Sequence, residues 1–396
     1  MEYLQINLKM KKFLLRLIKR LNLKRDCIIF ESYPELDGSP WMIYQEMKKR
    51  GYNKKYKLVW AVDVSFVAPE NVTCMPFWGK LSLQQRLKRV YCISTAKMII
   101  DSNRYVGKLC DETFRLYTRH GGTLKKADCY SKSIGNVDCI LSLSDEMAEI
   151  ESKFVYNETP VKEKHFLIMG YPNNDRLFFY DDQYKKIFFN GLKRNAFEYD
   201  KVVGWMPTFR KHKNKDRIDS IMDMPYGIPL LYKQDDFDKL NDLLRKNKVL
   251  LVVKLHHAQL LDFPVVKYSN IVTISQKSQS LSKIPMMNLL EMFDALITDY
   301  SSVYHEYILL NRPIALSIDD IDSYSAGTGF SIDYFDWIKG VYLKTATDLF
   351  HFIEDVAYGV DSAKIERESA MHRIHKYIDN KSTQRVVDFI VEKVKL

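Results

Sequence analysis

Several short stretches carry residues suited to holding an anion and moving a proton, each at the end of an apolar run. In Ala295-Leu296-Ile297-Thr298-Asp299-Tyr300-Ser301-Ser302-Val303, an apolar strand ends at Thr298-Asp299, and Ser301 and Ser302 open a helical stretch. The N–H groups and hydroxyls of such a helix start, with the helix dipole behind them, make an anion site. The same residue types also suit plain capping. In Lys254-Leu255-His256-His257, a cation and two imidazoles follow the apolar run 249–253. Lys254 and His256 share one side of an extended chain, and a cation beside a titratable imidazole suits a leaving phosphate. A surface pair on a loop is the alternative.

Tyr117-Thr118-Arg119-His120-Gly121-Gly122-Thr123-Leu124-Lys125-Lys126 ends a strand at a histidine and adds glycines and lysines. Gly121 permits close backbone approach to a substrate, and His120 suits the general base on an acceptor hydroxyl. A glycine turn with a structural histidine is equally compatible. Trp205-Met206-Pro207-Thr208-Phe209-Arg210 places Arg210 where it can hold two phosphate oxygens. Met169-Gly170-Tyr171-Pro172-Asn173-Asn174-Asp175-Arg176 reads as a structural turn with Asp175 near a helix start. No Asp/Glu cluster has clear metal spacing; a Mg²⁺ loosely held on a pyrophosphate is compatible with the pattern.

These stretches need elements that bring them together. Apolar runs at 27–30, 57–62, 98–101, 114–118, 139–143 and 166–169 alternate with helical spacing at 41–50 and 83–93. A polar helical stretch, 181–199, precedes a second series of strands at 202–206, 249–255, 271–274, 295–298, 314–318 and 341–343. Residues 361–396 read as long helix. Alternating strand and helix predicts parallel sheets covered on both faces. With 396 residues, the chain exceeds the roughly 250–300 that one core supports. The expected fold class is α/β, with two Rossmann-like domains facing a cleft. The expected boundaries are a basic amphipathic helix in 1–25, an N-terminal α/β domain in 26–192 and a C-terminal α/β domain in 193–396. Ligands of such sheets bind beyond the C-terminal strand ends, which is where the polar stretches fall.

The net charge of +10 attracts polyanions without choosing among them. With no zinc-finger spacing, RNA-binding aromatic signature or long Lys/Arg run, nucleic acid ranks last. In residues 8–25, Phe13, Leu14, Leu17, Ile18 and Leu21 form one stripe opposite Lys12, Arg16, Lys19 and Arg20. That pattern suits an anionic membrane surface, or packing on the protein's own domain. No apolar run is long enough to span a bilayer, and the N-terminus lacks the form of a secretion signal. Cys27, Cys74, Cys92, Cys110, Cys129 and Cys139 form no C-x-x-C pair. Buried thiols in a cytoplasmic protein, peripheral at the inner face of the membrane, are the expectation.

The series HGGTLKK, GYPNNDR, PTFR, KLHH and TDYSSVYHEYILLNRP, in that order, resembles the CDP-glycerol glycerophosphotransferase family, which includes teichoic-acid primases and polymerases and capsule enzymes. The resemblance runs from Ile28 to Gly340. It implies a GT-B-like fold, with the donor nucleotide held mainly by the C-terminal domain. It also implies His120 and His256 as catalytic residues, with Arg210, Ser301 and Ser302 on the substrate; Lys254, Asp299, Gly121 and Lys125 are the further residues expected there. Arg119 stands where the family usually has Trp, Gly122-Thr123 where it has Thr-Pro, and His257 where it has Pro. The size is that of a primase. The implied donor is CDP-glycerol or CDP-ribitol, the acceptor a polyprenyl-linked glycan, and CMP the product, with no tightly bound cofactor. A glycosyltransferase using a sugar nucleotide, or an inactive membrane-associated scaffold, are the competing expectations.

Overall fold

The computed structural model describes residues 24–104, 106–119, 121–125, 137–155, 165–208, 224–255, 268–274 and 284–396. Among these, the chain divides into two compact units. The first contains the described residues up to Arg119, those from 137 to Asp175, and Asp379–Leu396. The second contains 121–125 and the described residues of Arg176–Ile378.

The first unit is built on β1 (Cys27–Phe30), β2 (Lys57–Asp63), β3 (Cys74–Trp78), β4 (Ala96–Asp101), β5 (Phe114–Tyr117), β6 (Cys139–Ser142) and β7 (Phe166–Ile168). All pair in parallel, in the order β3-β2-β1-β4-β5-β6-β7. The second unit repeats the plan with β8 (Lys201–Trp205), β9 (Val249–Lys254), β10 (Ile271–Ile274), β11 (Ala295–Thr298), β12 (Ile314–Ser317) and β13 (Val341–Leu343). Their order is β10-β9-β8-β11-β12-β13, again parallel. In both sheets the first strand runs to one edge through the next two, and the fourth returns to its other side. This is the doubly wound order, with a switch point between β1 and β4 and another between β8 and β11.

Continuous apolar runs make these strands because both sheet faces are covered. β1, β6, β11 and β12 are buried at every position. The expected strands are all found, and β3 is the addition. It lies at the sheet edge, its exposure alternates, and Pro76 interrupts it. Proline is tolerated at an edge, where one side of the ladder is open.

The division between units falls at Asp175/Arg176, upstream of the boundary expected near Lys193. The helix Asp182–Leu192 buries Phe188, Phe189 and Leu192, and Phe188 meets Phe293 of the second unit edge-on at 6.3 Å. The single long C-terminal helix expected in the second domain is instead two helices, Lys364–Ile374 and Ser382–Val394. The latter belongs to the first unit, where Ser382 and Thr383 donate their amides to Asp175 at 3.0 and 2.8 Å. Asp175 thus caps a helix far along the chain, a structural use for the turn that contains it.

Candidate active site at the second switch point

Parallel strands end on one edge, so Lys254 of β9, the turn after β8 and the turn after β11 lie side by side. With strands about 4.8 Å apart, the ends of β9 and β11 are roughly 10 Å from each other. The two strands at the switch point are tied beyond their ladder. Met206 donates its amide to Ile297 and accepts the Thr298 hydroxyl at 2.9 Å. Asp299 is fully buried and accepts the Thr208 amide at 2.9 Å, the Thr208 hydroxyl at 2.7 Å and the Tyr300 amide at 2.6 Å. Asp299 is the residue expected on the substrate, and its carboxylate holds Thr208 of the loop after β8 in place. Phe209 and Arg210 follow directly in the chain; Arg210 lies outside the described residues.

Ser301 and Ser302 are half-buried. Ser302 sits at the cap position of the helix Val303–Tyr307, but its side chain makes no capping bond. The plain capping role is therefore not the one it takes, which leaves its hydroxyl for other work. The short helix is buried at every position. Tyr307 donates to Phe293 O at 2.8 Å, Tyr304 donates to Lys339 O at 3.0 Å, and His375 Nε2 donates to His305 O at 2.6 Å. Burial pushes His375 down to about 4, so it is neutral and carries its proton on Nε2.

The glycines after His120 rest on this helix start. A side chain at Gly121 (φ +150°) would come within 2.9 Å of Ser302 Oγ, and one at Gly122 within 2.6 Å of His305. Only glycine permits that approach. The segment continues as a bridge between Lys125 and Phe330, with Ser331 donating its amide to Leu124 at 3.1 Å. Lys125 Nζ lies 5.6 Å over the Tyr324 ring, within an aromatic group of Tyr300, Tyr324, Phe330 and Tyr334. Gly121-Gly122 and the TDYSS stretch, distant in sequence, are thus packed together within the second unit.

Lys254 is half-buried at the end of β9, and burial lowers its pKa from the ordinary lysine range. His120 and His256, the two expected catalytic residues, lie outside the described residues.

The first unit has a matching switch point that the sequence reading did not single out. Glu31, directly after β1, is fully buried and accepts the amides of Ser102 and Asn103 at 3.2 and 3.0 Å and Arg104 Nε at 3.2 Å. Burial outweighs those bonds and pushes Glu31 up to about 7. The signal was available, since an acid ends the run Ile28-Ile29-Phe30. Arg119, just before His120, has a left-handed backbone (φ +62°) and a buried guanidinium paired with Glu151. Glu151 also accepts the Ser142 hydroxyl at 2.9 Å. This charged strut occupies the place where tryptophan was expected by resemblance.

Among the described residues, no group of three His, Cys, Asp or Glu could hold a metal ion. No helix among them is long and apolar enough to cross a membrane. Cys27, Cys110 and Cys139 are buried, Cys74 and Cys92 half-buried, all with free thiols; Cys129 and most of the N-terminal amphipathic stretch lie outside the described residues.

Residues 13–392 match the model of the family described as CDP-glycerol:poly(glycerophosphate) glycerophosphotransferase. The chain is 24% identical to the teichoic acid poly(glycerol phosphate) polymerase of Bacillus subtilis over 88% of its own length and 46% of the polymerase. It is 26% identical to the teichoic acid glycerol-phosphate primase of the same organism, over 88% of this chain and 87% of the primase. The chain therefore spans about half of the first relative and most of the second. The fold matches the wall teichoic acid polymerase TagF with a TM-score of 0.72 and 21% identity, covering 97% of this chain and 93% of that one. A variant of that polymerase was also solved after a soak with CDPG.

Proposed function

The chain belongs to the CDP-glycerol:poly(glycerophosphate) glycerophosphotransferase family, and we propose that it transfers glycerol phosphate from CDP-glycerol to a polyprenyl-linked glycan at the inner face of the membrane. The second unit takes the donor and the first the acceptor. The acceptor hydroxyl attacks the polyol-bearing phosphorus, a new P–O bond forms, and the bond to the CMP oxygen breaks. The hydroxyl proton passes to His120, and CMP leaves with the electron pair of the broken bond. Such a reaction needs positioning and charge neutralisation more than covalent help. Lys254, Arg210, His256, Lys125 and the hydroxyls of Ser301 and Ser302 supply the positive and hydrogen-bonding partners of the pyrophosphate. Asp299 contributes by fixing the loop that leads to Arg210. A magnesium ion, where one takes part, would be held loosely on the donor's pyrophosphate.

The observation that carries this reading is the seat of Gly121 against Ser302. The residue after the expected base is in contact with an expected phosphate ligand, whose side chain makes no capping bond. The test mixes purified protein with CDP-glycerol and a lipid-linked disaccharide and measures CMP. His120→Ala is expected to lower the rate by about 10²–10⁴, the usual worth of a positioned base. CMP release by His120→Ala at the wild-type rate would remove that role. A product carrying sugar without phosphorus would replace the reading with glycosyl transfer.

A further inference from the structure

The switch point of the first unit carries an assembly that the transfer step does not use. Arg104, which follows β4, reaches back across the strand ends. Its guanidinium carbon lies 4.0 Å from the centre of the Trp78 ring at the end of β3, and 5.4 Å from that of Tyr33 after β1. Nε donates to Glu31 at 3.2 Å, and Nη2 donates to Glu35 at 2.8 Å and to Ser32 O at 3.3 Å. Three acceptors and a ring fix the plane of the guanidinium. Tyr33 is held in its turn, since its amide donates to Asn103 Oδ1 at 3.3 Å. Asp63 ends β2 and donates its amide to Glu35 at 3.5 Å. Four neighbouring strands, β3, β2, β1 and β4, therefore each place a group here at their C-terminal ends, where open parallel sheets take their ligands.

The assembly keeps a donor, an acceptor and a ring face unspent. Nη1 of Arg104 and Oε2 of Glu35 make no hydrogen bond among the described residues, and both side chains still reach solvent, at 23% and 13% exposure. The Tyr33 residue is 58% exposed. A sugar offers the matching set: hydroxyls that both accept and donate, and an apolar C–H face for an aromatic ring. Local charge argues against an anion. Glu31 and Glu35 both pair with the one guanidinium. Asp63 lies near it as well, its carboxyl lowered by Ser65 and, to a lesser degree, by Arg104. A phosphate would meet no surplus of positive charge among these groups. A neutral polyhydroxyl ligand incurs no such repulsion.

We propose that Tyr33, Arg104 and Glu35 seat a neutral sugar residue of the acceptor glycan. The sugar lays a C–H face on the Tyr33 ring, Arg104 Nη1 donates to one hydroxyl, and Glu35 Oε2 accepts from another. The inference rests on the reading that the acceptor is a glycan, and it names the groups that grip it. Two arms test it on the full chain. In the first, saturation-transfer NMR observes the lipid-free disaccharide of the acceptor, which needs no turnover. Wild type and Tyr33→Phe are expected to transfer signal to the sugar, because the ring face and not the hydroxyl holds it. Tyr33→Ala and Arg104→Lys are expected to lose most of that signal. In the second, CMP release from CDP-glycerol and the lipid-linked disaccharide gives KM for each substrate. Tyr33→Ala should raise KM for the acceptor about tenfold and leave KM for CDP-glycerol unchanged. Failure of wild type to release CMP would defeat the transferase reading, while the NMR arm still decides the sugar seat. No signal transfer in wild type, or equal transfer in Tyr33→Ala, would overturn the seat. Equal rises in both KM values would do the same, by showing a general disturbance. So would displacement of the disaccharide by an equal concentration of glycerol phosphate, which would make this an anion site.

Discussion

Lys254 and Asp299 sit on the same sheet edge in different surroundings. Asp299 has its oxygens turned to Thr208 and Tyr300, so it stabilises the loop. Lys254 is held half-buried, with burial as the cause of its lowered pKa. A cation kept in such a place suits an anion that arrives later. Lys254→Met should raise KM for CDP-glycerol about tenfold or more, the loss expected for a charge-assisted contact. It should leave Tm unchanged or raise it, because a poorly solvated charge is removed. The lowered pKa also sets a sign. Protonated Lys254 is lost at a lower pH than an ordinary lysine, so donor affinity should weaken there in wild type and not in Lys254→Met. Titration calorimetry across pH measures both effects; an unchanged KM in the variant would exclude Lys254 from the donor site. The sequence revealed which residue types stand at this edge. It did not reveal where each side chain points, because Asp299 and Ser302 are compatible with clamp, cap or ligand until the neighbouring loop is placed.

The element that carries the serines is the short helix Val303–Tyr307, too short to be stable alone. It is held by partners from elsewhere, among them the neutral His375 that donates to His305 O. His375 is held at about 4, against 6.5 in the unfolded chain. Above pH 6.5 both states are neutral and nothing is lost. As pH falls from 6.5 toward 4, the unfolded state takes a proton that the folded state refuses, and stability drops by up to about 3 kcal/mol. Glu31 acts in the other sense, its raised pKa favouring the folded state below pH 7. The comparison must therefore be between proteins. The fall in Tm from pH 7 to pH 5 should be smaller in His375→Gln than in wild type, with Glu31 common to both; equal falls would remove the proposed linkage. Strands were legible because double burial writes them as unbroken apolar runs, as in Val249–Lys254. β3 was missed because an edge strand with a proline lacks that signature. The helical register of the last residues was legible, but periodicity does not name the partner of a helix, so the return of Ser382–Val394 to the first unit was not foreseen.

At the scale of the whole molecule, two doubly wound sheets repeat one topology, and each has a buried acid beside its switch point. The first unit is closed by the end of the chain. Asp175 accepts both leading amides of the last helix, and Arg50 pairs with Asp388 on it. Asp175→Ala should therefore cost about 1–2 kcal/mol, as for loss of a helix cap. A urea titration followed by tyrosine and tryptophan fluorescence measures it, and an unchanged midpoint would show that the helix docks without this cap. The central claim is that the C-terminal edge of the second sheet holds a nucleotide diphosphate. The most direct measurement is calorimetric titration of the full chain with CDP-glycerol, alongside Ser302→Val. The account predicts one site with an affinity between about 1 μM and 1 mM, the range usual for substrates, and much weaker heat in the variant. A folded wild-type protein that gives no heat with CDP-glycerol, or a variant that binds it as tightly as wild type, would contradict the account.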